Sequence, residues 1–127
     1  MEIRNLNQLL DGLVKDEHSD IRMMKLTEDV ISVFLARLTA GKKLPAHYHN
    51  AGQEIYQVLA GNGVFEMGDR VTDGIHWQVT QPVKAGDFFE VPAGKVHRLT
   101  GGSEDLRLVF FTPPSHLKED RFFITGN

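Results

Sequence analysis

The chain has 127 residues, 41% of them hydrophobic and 24% charged, with a formal net charge of −3 and no cysteine. That is ordinary globular composition for one domain, and it excludes a disulfide scaffold, a cysteine-based zinc finger and a thiol nucleophile. A net negative surface has no general attraction for phosphate backbones, no apolar run approaches the roughly 20 residues of a membrane span, and the opening Met1-Glu2-Ile3-Arg4 has no signal-peptide core. The expectation is a cytoplasmic protein with neither nucleic acid nor membrane as partner.

Residues 3–14 place Ile3, Leu6, Leu9, Leu10, Leu13 and Val14 at three- and four-residue steps, which predicts one short amphipathic helix. From Ile21 the pattern changes to short β-type runs: 22–26, 30–39, 54–60, 63–67, 77–80, 88–91, 96–100 and 106–112. Glu28-Asp29, Gly61-Asn62-Gly63, Asp73-Gly74, Ala85-Gly86-Asp87 and Gly101-Gly102 supply turn chemistry between them. Pro113-Pro114 ends the pattern. The organisation expected is an N-terminal helical segment (1–20), an all-β domain (21–114) and a charged C-terminal tail (115–127).

Six histidines are present, and three sit in a patterned setting. His47 and His49 are two residues apart, so on an extended segment both rings point to one face. Glu54 follows at the start of an apolar run, and His97 lies in a later Gly/Pro-rich stretch. Imidazoles together with a carboxylate suit a divalent first-row metal and can leave positions open. His18, His76 and His116 have no such setting and are expected to be surface or packing residues.

The spacing is specific. Gly41, His47, His49, Glu54 and Gly61 read as G-x5-H-x-H-x4-E-x6-G, and Gly86, Pro92, Gly94 and His97 as G-x5-P-x-G-x2-H. In both stretches the chain resembles the cupin superfamily, with Gly101 standing where that family usually has Asn. The resemblance extends over roughly residues 30–112. It implies a double-stranded β-helix (jelly-roll) barrel, to which the short N-terminal helix is added. It further implies that His47, His49, Glu54 and His97 are four ligands of a divalent transition metal: Fe, Mn, Ni, Cu, Co or Zn.

Strand alternation from Glu54 puts Tyr56 on the same face, roughly 7 Å further along. A phenol there could donate to a bound oxygen or act as a base, so Tyr56 is the candidate catalytic residue. Arg37 interrupts an apolar face of the 30–39 run. Pointing inward, it could grip a substrate carboxylate. Phe34, Phe65, Phe88, Phe89, Phe110, Phe111 and Trp77 are expected to be core. The 106–112 run is apolar on both faces, which, with the stripe on 3–14, suggests a homodimer. The function implied is a metal-dependent enzyme of dioxygenase, isomerase or lyase type acting on a small oxygen-rich molecule. The alternative is a non-catalytic module binding a sugar or other small molecule.

Overall fold

A computed structural model describes residues 2–124. Its strands lie in two antiparallel sheets. The first contains, in spatial order, β1 (Val14–Lys15), β2 (Arg22–Glu28), β3 (Ser32–Leu38), β10 (Leu106–Thr112), β5 (Glu54–Ala60) and β8 (Phe88–Val91). The second contains β11 (Phe122–Phe123), β4 (Lys43–Tyr48), β9 (Val96–Gly101), β6 (Asn62–Val71) and β7 (Gly74–Lys84). The sheets face one another without hydrogen-bonding into a cylinder, so the expected barrel is corrected to two open, apposed sheets.

Period-two patterning explains which faces meet. Leu106, Leu108 and Phe110 of β10 join Phe34, Ala36 and Leu38 of β3 and Tyr56 and Val58 of β5 in one buried cluster between the sheets. The opposite sheet adds Leu44, Phe65, Val83 and Leu99. Within the first sheet, Phe34, Phe110, Tyr56 and Phe89 stand directly opposite one another across four strands. Their rings follow at centroid separations of 4.9, 5.6 and 5.1 Å, which locks the Tyr56 ring in an aromatic row.

The other face of β10 and β3 is also apolar, and the chain covers part of it itself. Leu35 and Val109 are buried with Leu13, against Leu6, Leu9 and Leu10. This cover accounts for much of the two-faced pattern that suggested a second copy. The covering segment is shorter as a helix than its periodicity predicts. It comprises α1 (Leu6–Leu9), capped by the Asn5 side chain on the Asn7 amide, and a 3-10 turn (Leu10–Gly12). Gly12 ends the helical run, and Val14 then pairs with Met23 as strand.

Two further expectations change, and the C-terminal tail takes on defined structure. Arg37 shares its face with Val33 and Leu35, outside the inter-sheet space, so it does not reach a substrate there. Phe88 is 62% exposed, and Trp77 is half-buried beneath the Arg98 guanidinium, 4.4 Å from the ring centroid, rather than in the core. The C-terminal stretch is structured: Pro114–Leu117 form a 3-10 turn, and β11 pairs with β4, setting Phe123 opposite His47.

Candidate metal centre

β4 and β9 are neighbours in the five-stranded sheet, and their register sets His47 directly opposite His97. Leu44 of β4 is also inward, opposite Leu99. Residues 44 and 47 differ in parity, so simple alternation cannot put both inside. A register shift between them resolves this: the β-bulge re-aims His47 into the interior. His49 follows just past the strand end. Glu54 opens β5 in the other sheet, opposite Val91. The four side chains therefore meet from both sheets at one end of the inter-sheet space.

One ligand atom from each of His47, His49, Glu54 and His97 lies within 4.8 Å of the others. All four residues are buried. The three imidazoles are oriented alike. His47 Nδ1 donates to the Pro45 carbonyl at 2.8 Å, His49 Nδ1 to the Asp120 carbonyl at 2.5 Å, and His97 Nδ1 to the Lys95 carbonyl at 3.3 Å. A ring that donates from Nδ1 presents Nε2 as a bare lone pair when neutral. His49 Nε2 lies 3.1 Å from Glu54 Oε2, and His97 Nε2 lies 3.4 Å from Oε1. Neither nitrogen has a hydrogen-bond partner. Buried lone pairs facing a carboxylate at that range repel unless a cation lies among them, so these residues fit a metal ion.

The protonation states agree. Burial and the neighbouring His97 hold the His47 imidazole well below its ordinary pKa, in the neutral form a ligand needs. Burial alone would raise the pKa of Glu54, but the surrounding imidazoles, His116 first, outweigh it and keep the carboxyl ionised. The Tyr56 hydroxyl donates to Glu54 Oε1 at 2.5 Å. Burial, then the Glu54 charge, raises its pKa well above the ordinary phenol value, so the hydroxyl keeps its proton and donates a hydrogen bond to Glu54 in this structure.

Sequence reasoning missed a second ring of residues. Thr112 Oγ1 and His116 Nδ1 both donate to Glu54 Oε2, at 3.1 and 3.0 Å. His116 is fully buried and its ring stacks on that of His49 at 4.0 Å and 2°. The expectation that it is a surface or packing residue is corrected, whereas His18 and His76 are exposed as expected. Asp120 accepts the Asn50 and Ala51 amides at 2.7 and 3.0 Å, closing the loop between His49 and Glu54. None of these residues lies in a spaced motif. Thr112 arrives at the end of β10, and the return of the C-terminal segment over β4 brings in His116 and Asp120.

A cavity of about 20 Å³ adjoins the centre, lined by His47, Glu54, Tyr56, Phe110, Leu117 and Arg121 among others. That volume holds one water-sized molecule.

Two apposed antiparallel sheets with a buried three-histidine, one-glutamate group at one end define a double-stranded β-helix protein with a possible metal site. The family model for the cupin domain matches residues 34–112, and the chain belongs to that family. Among solved structures it is similar to an uncharacterised conserved protein with a double-stranded β-helix domain from Klebsiella pneumoniae subsp. pneumoniae. The TM-score is 0.70 at 17% identity, covering 97% of this chain and 96% of that one. It is also similar to TT1209 from Thermus thermophilus, with TM-score 0.68, 20% identity and coverage of 89% and 98%. An oxalate decarboxylase matches with TM-score 0.66 and 20% identity over 88% of this chain and 30% of that one. Likeness at this identity establishes the fold alone. No curated protein matches the chain by sequence. Among the described residues no helix is long and apolar enough to cross a membrane.

Proposed function

We propose that the chain is a metal-dependent cupin enzyme, of dioxygenase, isomerase or lyase type, acting on a small oxygen-rich molecule. His47, His49, Glu54 and His97 would hold a divalent transition metal. The observation that carries this reading is the pair of orphaned nitrogens, His49 Nε2 and His97 Nε2, aimed at an ionised Glu54. A metal bound there supplies a Lewis acid or an open position for a small oxygen ligand.

The chain's own residues have distinct roles in this reading. Tyr56, Thr112 and His116 fix the rotation of the Glu54 carboxylate. Three backbone carbonyls fix the imidazole tautomers. Leu117 and Arg121 line the adjoining cavity.

Elemental analysis of the purified protein, followed by turnover assays of the metal-loaded form on small carboxylates and enols, tests the proposal. One equivalent of a transition metal and turnover that His49→Ala abolishes are expected. Absence of stoichiometric metal after loading with Mn, Fe, Ni, Cu, Co and Zn would defeat it.

A further inference from the structure

Among the described residues, four buried side-chain nitrogens have no hydrogen-bond partner: His49 Nε2, His97 Nε2, Arg37 Nε and Arg107 Nε. The first two face the candidate metal centre. The other two lie elsewhere, on the outer face of the six-stranded sheet and toward the end opposite Glu54.

There Arg37 of β3 stands directly opposite Arg107 of β10 on one side and Arg22 of β2 on the other. Arg22 in turn stands opposite Lys15 of β1. Residues paired in this way share a face, with Cβ atoms about 5 Å apart. Lys15, Arg22, Arg37 and Arg107 therefore form one unbroken cationic row across four strands. Arg37 and Arg107 are half-buried, and Arg22 and Lys15 are exposed.

None of the four joins an ion pair among the described residues. The chain carries 17 acidic residues, more than enough to neutralise the row. Of the acids nearest in sequence, Asp16 pairs with Arg121 and Asp105 accepts the Ala40 amide, while the exposed Asp20 and Glu104 form no ion pair with the row. Like charges opposite one another destabilise a sheet, and a half-buried guanidinium with an unmet N–H adds a desolvation cost. An arrangement this costly points to a missing counterion. The planar forks of adjacent arginines match the oxygens of phosphate and carboxylate groups. Size follows from the surroundings. One step along the same face the row meets Leu35 and Val109, which the N-terminal segment covers. The site is thus a single row of residues, bounded on that side by covered apolar surface.

We propose that Arg22, Arg37 and Arg107 form a binding site for a small multivalent oxyanion, a phosphate or a polycarboxylate, separate from the metal centre.

Thermal unfolding and calorimetric titration of the full chain with inorganic phosphate and with citrate, against sodium chloride at matched ionic strength, test this. One equivalent of one of the two anions should bind saturably and raise Tm by several degrees at hundredfold excess over Kd. Whichever anion binds more tightly identifies the ligand type. Arg37→Gln should abolish the effect while leaving metal uptake unchanged. In chloride alone it should unfold no earlier than the wild type, because it removes an uncompensated charge. Arg107→Lys, which keeps the charge and loses the fork, should weaken binding at least tenfold. Equal stabilisation by chloride, no saturable binding of either anion, or unchanged binding by both variants would overturn the proposal.

Discussion

His116 Nδ1 donates to Glu54 Oε2 at 3.0 Å across 62 positions of sequence. Its other ring nitrogen donates to the Ala51 carbonyl, so both nitrogens face acceptors and the ring is fully satisfied as an imidazolium. Burial alone would lower the His116 pKa, but the Glu54 carboxylate and the Ala51 carbonyl outweigh it and raise it. The same ring covers His49. One side chain from outside the matched family region thus touches two candidate ligands.

Removing that contact should loosen Glu54. His116→Ala is expected to weaken metal binding about 10- to 100-fold, the usual range for a residue hydrogen-bonded to a ligand. His116→Asn, whose amide can replace the Nδ1 donor, should recover most of the affinity. Titration of the apo protein with zinc or manganese reads both, and equal affinities in all three proteins would show that His116 does not position the ligand.

Tyr56 should behave as a holder of Glu54. Its hydroxyl is engaged by Oε1, and its ring is fixed in the aromatic row between Phe110 and Phe89. Tyr56→Phe keeps the ring and deletes a hydrogen bond to a charged acceptor, worth about 2 kcal/mol. Metal affinity should fall about tenfold or more, with turnover falling alongside it. A fall in kcat at full metal loading with unchanged metal affinity would instead assign the hydroxyl to the reacting molecule.

The Asp16–Arg121 pair should make stability acid-sensitive. Asp16 Oδ1 lies 3.0 Å from Arg121 Nη2, and the Ser19 hydroxyl and His18 amide donate to Oδ2. Burial pushes the Asp16 pKa up, and these donors, Arg121 first, bring it below the ordinary carboxylate value of 3.8. A depressed folded-state pKa stabilises above the unfolded value and loses that contribution as pH falls through the folded value. Asp16→Asn should therefore cost about 2 kcal/mol at pH 7, with the difference from wild type shrinking below pH about 4. Urea unfolding at both pH values measures it. A gap independent of pH would show that the charge is not the source.

Two motif glycines should differ in what they tolerate. Gly61 has φ of +80°, and a Cβ there would lie 1.8 Å from the Asp105 carbonyl oxygen. Gly41 has φ of +76° with open space around it. Gly41→Ala should cost about 1 kcal/mol of backbone strain, whereas Gly61→Ala must also displace a neighbouring strand end and should cost at least about 3 kcal/mol. Parallel denaturation curves check the order. A Gly61→Ala protein no less stable than Gly41→Ala would refute the close approach.

Much of this molecule is local and was legible. Glu54, Tyr56 and Val58 share a face because a strand repeats every two residues, and Phe34, Ala36 and Leu38 do so for the same reason. His47 and His49 share a face through their two-residue spacing, and the full set with Glu54 and His97 came from the resemblance of the two spaced motifs to the cupin superfamily. Alternation also divided β10 correctly into Leu106, Leu108 and Phe110 against Val109 and Phe111. It could not say which face of β3 looks inward, and so Arg37 was a candidate for the interior that the structure puts outside.

By itself, then, the sequence determined the strand-rich class and the faces of most strands, because each depends on neighbours a few positions apart, and its two spaced motifs marked the four residues that meet. Only the tertiary structure decided the rest. The bulge that turns His47 inward while keeping Leu44 in the core answers to β9, a strand some fifty residues away. His116 and Asp120 reach the site because the C-terminal stretch returns to pair with β4. The row of Arg22, Arg37 and Arg107 exists only through the register of β2, β3 and β10. Contacts between distant segments are selected by packing and hydrogen-bond satisfaction over the whole chain, and no local periodicity records them.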